Sequence, residues 1–203
     1  MQHNPIYIVY MTDKQEKKIT FIHNNLVERC RKGDESAQAE IYGLYYRAMF
    51  NISFRIVGNK AEAEDIMQNS FLKAFRSISS CRENSAFGAW LKRIVVNHSI
   101  DALRSRSKLP LEGEEKLKAG ENLPSEDEIE DQAGIAEMAE KIRQCVTGLP
   151  EGYRIIVSLH LLEGYDHEEI GNILGITAST SRSQYARGKQ KLLEMLKSKR
   201  MRL

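Results

Sequence analysis

Hydrophobic positions along the chain fall into two helical blocks separated by a stretch that has few of them. From Asp34 onward, Ile41, Leu44, Tyr45, Ala48, Met49 and Ile52 recur at spacings of three and four, the period of one helix face. Asp34 offers an N-cap oxygen before that run. Gly58-Asn59 stops it, because glycine takes the left-handed conformation of a helix end without strain. A second helix is predicted over about 61–78, with Met67, Phe71, Ala74, Phe75 and Ile78 on one stripe. After a polar turn from Cys81 to Ser85, a third runs from about 86 to 106 and carries Phe87, Trp90, Leu91, Ile94 and Val95. Strand-like alternation is confined to Ile6–Tyr10, ahead of the packed region, so the predicted class is all-α.

The C-terminal block has a more specific pattern. A helix from Leu149-Pro150 to about Leu162 carries Ile155, Ile156, Leu159 and Leu162, and Gly164 breaks it. Asp166 then caps a short helix from His167 to Leu174, with Glu169 as its capping-box partner. Gly175-Ile176-Thr177 makes a tight turn, and a long helix starts near Ala178. A short helix, a glycine turn and a longer basic helix form the helix-turn-helix pattern, with Ile170, Leu174 and Ile176 packing the pair together. Ser179, Thr180, Ser181, Arg182, Gln184 and Tyr185 fall at the exposed start of the second helix, with Ser183, Arg187 and Lys189 beside or beyond them. Short hydroxyls, guanidinium groups and an amide suit a helix that reaches phosphates and base edges. An ordinary helical hairpin is the plainer reading of the same pattern.

Charge divides the chain further. The 203 residues allow one domain or two small ones, and the formal net charge is only +2. That near-neutral total is composed of a segment from Lys108 to Gln132 at −6 and a segment from Ser181 to Leu203 at +7. The acidic stretch also holds Pro110, Pro124, Gly113, Gly120 and Gly134, so burial there offsets too little ordering entropy and a flexible linker is predicted. The expected plan is a tail (1–23), a helical bundle (24–107), an acidic linker (108–135) and a helix-turn-helix domain (136–203). The linker is expected to fold against the basic surfaces Lys92–Lys108 and Arg182–Arg202 and to keep the free chain compact at low salt. No apolar run approaches membrane-spanning length, and the start lacks a basic signal-peptide region, with Met11 a second candidate start. Cys30, Cys81 and Cys145 are three in number and widely spaced, which argues against a disulfide framework or a zinc site and fits the cytoplasm.

The third helix carries a polar stripe of Asn97, Asp101 and Arg104 at i, i+4 and i+7, and Lys92, Arg93, Arg104, Arg106 and Lys108 make it basic. Phe87, Trp90 and the Asn84-Ser85 turn lie at its start. Rings beside a basic groove suit single-stranded DNA, although Phe87 and Trp90 also fall on the apolar stripe, which favours core packing. Asp101 has an equally plain reading as a salt-bridge partner of Arg104.

Three segments together resemble the extracytoplasmic-function (ECF) family of bacterial RNA polymerase sigma factors. Asp65 to Phe75 resembles the polymerase-binding helix, Ser85 to Arg104 the promoter-melting segment, and Leu149 to Leu196 the domain that reads the −35 element. The resemblance implies that Asp65, Gln68, Asn69 and Phe71 dock on the clamp of core RNA polymerase. It implies that Asn84, Ser85 and Phe87 capture a flipped −10 base and that Trp90, Asn97, Asp101 and Arg104 hold the melted strand, with Lys92 and Arg93 in the same DNA-binding set. It implies that Thr180, Arg182, Ser183 and Arg187 lie on the recognition helix, where Ser179, Ser181, Gln184, Tyr185 and Lys189 complete the −35 set. Ser181 stands where the family often has an apolar residue, Gln184 where it often has a basic one, and Asn69 where an acid is frequent. The implied partners are core polymerase, promoter DNA and an anti-sigma factor, membrane-anchored in some cases; no cofactor, metal or small-molecule substrate is implied.

Two other classes fit parts of the pattern. A two-domain helix-turn-helix repressor or activator would dimerise and bind a palindrome without polymerase. An enzyme would need a catalytic constellation, and no P-loop, GxGxxG, Cys-His or Ser-His-Asp arrangement stands out. His98, His160 and His167 read as surface or half-buried side chains, since His160 and His167 straddle Gly164 without the i, i+4 spacing of a helical ligand pair.

Overall fold

A computed structural model describes residues 23–106 and 141–200. The expected extended segment Ile6–Tyr10, most of the N-terminal tail and all of the acidic linker lie outside the described residues. Within them every regular element is helical: α1 over 23–31, α2 Glu35–Val57, α3 Lys60–Arg76, α4 Phe87–Arg106, α5 over 141–147, α6 Glu151–Val157, α7 His167–Leu174 and α8 Ala178–Arg200. Two 3₁₀ turns, Ile78–Ser80 and Asn84–Ala86, join α3 to α4, and a π-turn, Ser158–Leu162, extends α6.

The helix boundaries follow local chemistry. Asp34 accepts from Ala37 N–H at 3.1 Å and Asn59 from Glu62 N–H at 2.9 Å, each satisfying an orphan donor of a first turn. Gly58 ends α2 in the left-handed region at φ +73°, its N–H returned to Phe54 C=O. Asp166 and Glu169 make the reciprocal capping box of α7.

Helices α2, α3 and α4 pack pairwise around Phe54, Met67, Phe71, Phe87, Leu91 and Val95. Full burial of each large apolar side chain contributes about 1.5–3 kcal/mol. Small polar residues let two of the helices approach: Ser99 Oγ–H donates to Ser53 Oγ at 3.0 Å, both buried. The apolar stripe of α2 departs from expectation at two places. Leu44 and Ala48 are exposed, while Phe54, Ile56 and Val57 join the core. The C-terminal half of this helix is covered by α6 as well as by α3 and α4, so it is buried over more than one stripe.

In the C-terminal unit α7 and α8 form the helix-turn-helix, and α6 packs across α8. Gly175 supplies the left-handed residue at the turn (φ +74°). Gly171 lets the backbone close on itself there, since a Cβ at this position would lie 2.7 Å from Ile176 C=O. A small core of Cys145, Val146, Leu149, Val157 and Leu192 belongs to this unit alone. Ile155, Ile156, Leu159, Ile170 and Leu174 instead join the core cluster of the N-terminal bundle.

Candidate nucleic-acid interface

Helix α4 presents the polar stripe expected of it. Arg93, Asn97, Asp101 and Arg104 are all exposed, and Arg104 reaches Asp101 at 3.4 Å. Lys92 is half-buried. Beside this face lies a groove of about 420 Å³ that also takes in Lys73 and His98. His98 is held between Ser70 Oγ at 2.9 Å and Lys73 Nζ at 3.4 Å; burial, then the neighbouring ammonium, pushes its pKa below the usual imidazole value.

At the start of α4 the expected residues part company. Phe87 is fully buried, edge-on to Tyr45 with ring centres 5.6 Å apart, and is therefore a core ring that no base can reach. Trp90 is half-buried against it. Asn84 is half-buried too, its amide donating to Asn24 C=O at 3.1 Å, whereas Ser85 is exposed.

On α3, Asp65, Gln68 and Asn69 are exposed along one face. Phe71 is not among them. It is 2% exposed and packs on Tyr42 and Phe75, so it lies beneath that exposed face. Its neighbour Leu72, 54% exposed, takes the outward position one turn beyond Gln68 and Asn69. Sequence reasoning missed Leu72 because an apolar residue beside an apolar stripe reads as core. The i+3 and i+4 offsets from Asn69 and Gln68 were the signal that could have found it.

The first turn of α8 offers Ser179, Arg182 and Ser183 to solvent, followed by Arg187 and Lys189. Thr180, Gln184 and Tyr185 are half-buried. Ser181, expected at the surface, is fully buried: its Oγ lies 2.9 Å from His167 Nδ1 on α7. The helix-turn-helix requires this, since α8 must lay one face on α7 and position 181 falls on that face. Thr177 caps α8 by accepting from Thr180 N–H at 3.0 Å, a role sequence reasoning had not given it.

The two helical units touch one another. Glu163, at the end of the π-turn, pairs with Arg55 of α2 at 2.5 Å and lies 3.8 Å from Lys92 of α4, and both of the 2.5 Å partners are nearly buried. Lys92 Nζ also donates to Glu163 C=O at 2.8 Å. Arg154 of α6, 2% exposed, donates to Arg55 C=O at 2.9 Å, and its guanidinium fills the space that a Cβ at Gly58 would need. Arg104 donates to Ile173 C=O at 2.9 Å, so α7 sits over one end of the α4 stripe. Burial lowers the Arg154 pKa from its ordinary value, with Glu151 opposing the shift. Among the described residues no cluster of three or more His, Cys, Asp or Glu side chains could hold a metal ion, and no helix is long and apolar enough to cross a membrane.

A bundle with a basic helix face and a helix-turn-helix unit are the features of a DNA-binding protein. Residues 41–109 match the family model for Sigma-70 region 2 and residues 139–192 that for Sigma-70, region 4. The chain is 30% identical to the ECF RNA polymerase sigma factor SigW of Bacillus subtilis, over 84% of this chain and 95% of that one. It is 31% identical to the ECF RNA polymerase sigma-E factor of Haemophilus influenzae, over 81% of this chain and 90% of that one. The chain belongs to the ECF sigma factor family and is an alternative sigma factor, a transcription initiation factor. Its fold is that of CnrH, solved with the cytosolic domain of CnrY (TM-score 0.50, 17% identity, 87% of this chain and 97% of that one). It is likewise that of RpoE, solved with the anti-sigma factor NepR from Bartonella quintana (TM-score 0.53, 19% identity, 78% and 96%).

Proposed function

We propose that residues 24–107 dock on core polymerase and read the −10 element, and that residues 136–203 read the −35 element. The polymerase face comprises Asp65, Gln68, Asn69 and, in place of Phe71, the exposed Leu72. Ser85, Arg93, Asn97, Asp101 and Arg104 meet the −10 strand, with Trp90 and Lys92 at its edge. Ser179, Arg182, Ser183, Arg187 and Lys189 meet the −35 duplex. The observation that carries this reading is the polar and basic face of α4, where Arg93, Asn97, Asp101 and Arg104 are exposed and no large apolar side chain is. Phosphate contacts from arginines would position the strand, while Asn97 and Ser85 offer hydrogen bonds to base edges.

The contacts between the two units give the free chain a closed form. Elements some 25 base pairs apart are separated by about 85 Å of duplex, which units in contact do not span. Polymerase binding is therefore the event that parts Glu163 from Arg55 and Lys92 and uncovers the far end of α4. An anti-sigma protein that recognises the closed form would hold it there, as a soluble protein or as the cytoplasmic part of a membrane protein. The place of action is the cytoplasm, where polymerase and promoters are.

In vitro transcription with core polymerase on DNA from the source genome tests the reading: the chain is expected to direct a discrete set of start sites that core enzyme alone does not use. Tight binding to a palindrome by the chain alone, with no new start sites, would favour the repressor class instead and sink the proposal.

A further inference from the structure

The two histidines that the sequence separates across Gly164 are brought together in the fold. The rings of His160, in the π-turn, and His167, the first residue of α7, stack with centres 4.3 Å apart and planes at 17°. His160 Nδ1–H donates to Tyr165 C=O at 2.8 Å, which fixes its tautomer. His167 Nδ1 meets the buried Ser181 hydroxyl of α8 at 2.9 Å. One turn further along α8, Tyr185 sets its ring edge-on to His160 at 4.5 Å and tilted to His167 at 5.7 Å. The pair is thus a keystone between α6, α7 and the DNA-reading helix.

We propose that the His160–His167 stack sets the tilt of α8 through Ser181 and Tyr185, and that a proton taken by the stack loosens that helix, so that −35 reading fades in mild acid. The proposal rests on the assignment of α8 to the −35 element. The groups that face the pair are Asp166 on the cap of α7, Arg182 on α8 and the phenols of Tyr165 and Tyr185. Burial, then His160 and Arg182, holds His167 below the ordinary imidazole value, while Asp166 opposes the shift. Two like charges at this separation repel strongly, so a proton on one ring disfavours a second on the other. That proton places a second positive charge beside Arg182, the neighbour of Ser181 on α8. Nonspecific attraction to phosphate rises with the added charge, so the loss appears in specificity and leaves total binding largely intact.

The test uses the full chain reconstituted with core polymerase. Affinity is measured for a promoter fragment recovered in the transcription assay and for the same fragment with its upstream element scrambled, from about pH 7.5 to about pH 5.5. One linked proton changes the ratio by at most about tenfold per pH unit, and a fall of about fivefold to tenfold across the range is expected. His160→Asn combined with His167→Asn cannot take the proton and should give a ratio that no longer moves with pH, whatever its level. An imidazole NMR titration of the native chain should show His160 and His167 titrating in coupled steps. A ratio above one that stays flat in the native protein, or two independent histidine titrations, overturns the proposal. A ratio of one at every pH removes the −35 assignment itself, a different and recognisable result.

Discussion

The two halves of this sigma factor hold themselves together in different ways. The N-terminal bundle closes around its own aromatic core, with Phe54, Phe71 and Phe87 all buried between α2, α3 and α4. Among the described residues the C-terminal unit keeps five buried apolar residues in a core of its own, and lends Ile155, Ile156 and Leu159 to the cluster of its neighbour. Helix α6 is therefore two-faced, one side for the helix-turn-helix and one for the other domain. A platform and a rider are coupled through that helix, and what disturbs the platform should disturb both.

Cutting into the platform should have the largest effect. Phe54→Ala removes a ring buried near the domain junction and is expected to cost about 3–5 kcal/mol, read by chemical denaturation. The comparison predicts that it lowers the unfolding midpoint of both units, whereas Leu149→Ala, in the small separate core, lowers only that of the second. If both variants shift both units alike, the asymmetry is wrong. Arg154→Ala acts at the junction itself. It leaves the Arg55 carbonyl without its guanidinium and is expected to cost about 1.5–3 kcal/mol of domain coupling, seen as a larger radius of gyration in small-angle scattering. Glu163→Gln keeps an acceptor but removes the charge facing Arg55 and Lys92. About 1 kcal/mol of coupling should go, with faster transcription complex formation if opening is limiting.

Acid should weaken the platform gradually. His23 and His98 both have pKa values pushed down in the folded state, chiefly by burial. The unfolded chain thus binds more protons, so their stabilisation is complete above the ordinary value near 6.5 and is lost as pH falls below it. Denaturation midpoints between about pH 7.5 and pH 5.5 should decline, and His98→Gln should flatten part of that decline. The smallest effect on stability belongs to Asp65→Ala combined with Gln68→Ala, within about 0.5 kcal/mol of the native chain because both groups are exposed. Core polymerase binding should nevertheless weaken, and Leu72→Ala should add to the loss. An unchanged affinity in a pull-down would move the docking surface elsewhere.

Local chemistry made much of this legible in the sequence. Caps at Asp34, Asp166 and Glu169, and left-handed glycines at Gly58 and Gly175, act within a few residues, so spacing alone finds them. What spacing could not resolve was which side of a stripe a neighbouring element covers. Leu44 looked like core and is exposed, because α2 turns that face to solvent. Phe71 looked half-accessible and is sealed. Ser181 looked like a DNA contact and is the seat of α8 on α7. The histidine pair was invisible for a related reason: the turn at Gly164 reverses the chain, and residues seven apart meet only in three dimensions.

The seat of Arg154 at Gly58 has a consequence for how the chain is made. Arg154 lies 48 residues beyond Arg106, the last residue of α4, so at roughly 5–20 residues per second it is synthesised roughly 2–10 s later. Helical bundles fold in micro- to milliseconds, which gives the first domain ample time to finish on the ribosome. By then the end of α2 has already been closed by Gly58 N–H on Phe54 C=O and by Arg106 on Val57 C=O. The nascent second domain therefore settles on a completed surface. The join between the two is therefore made only after the first domain is complete.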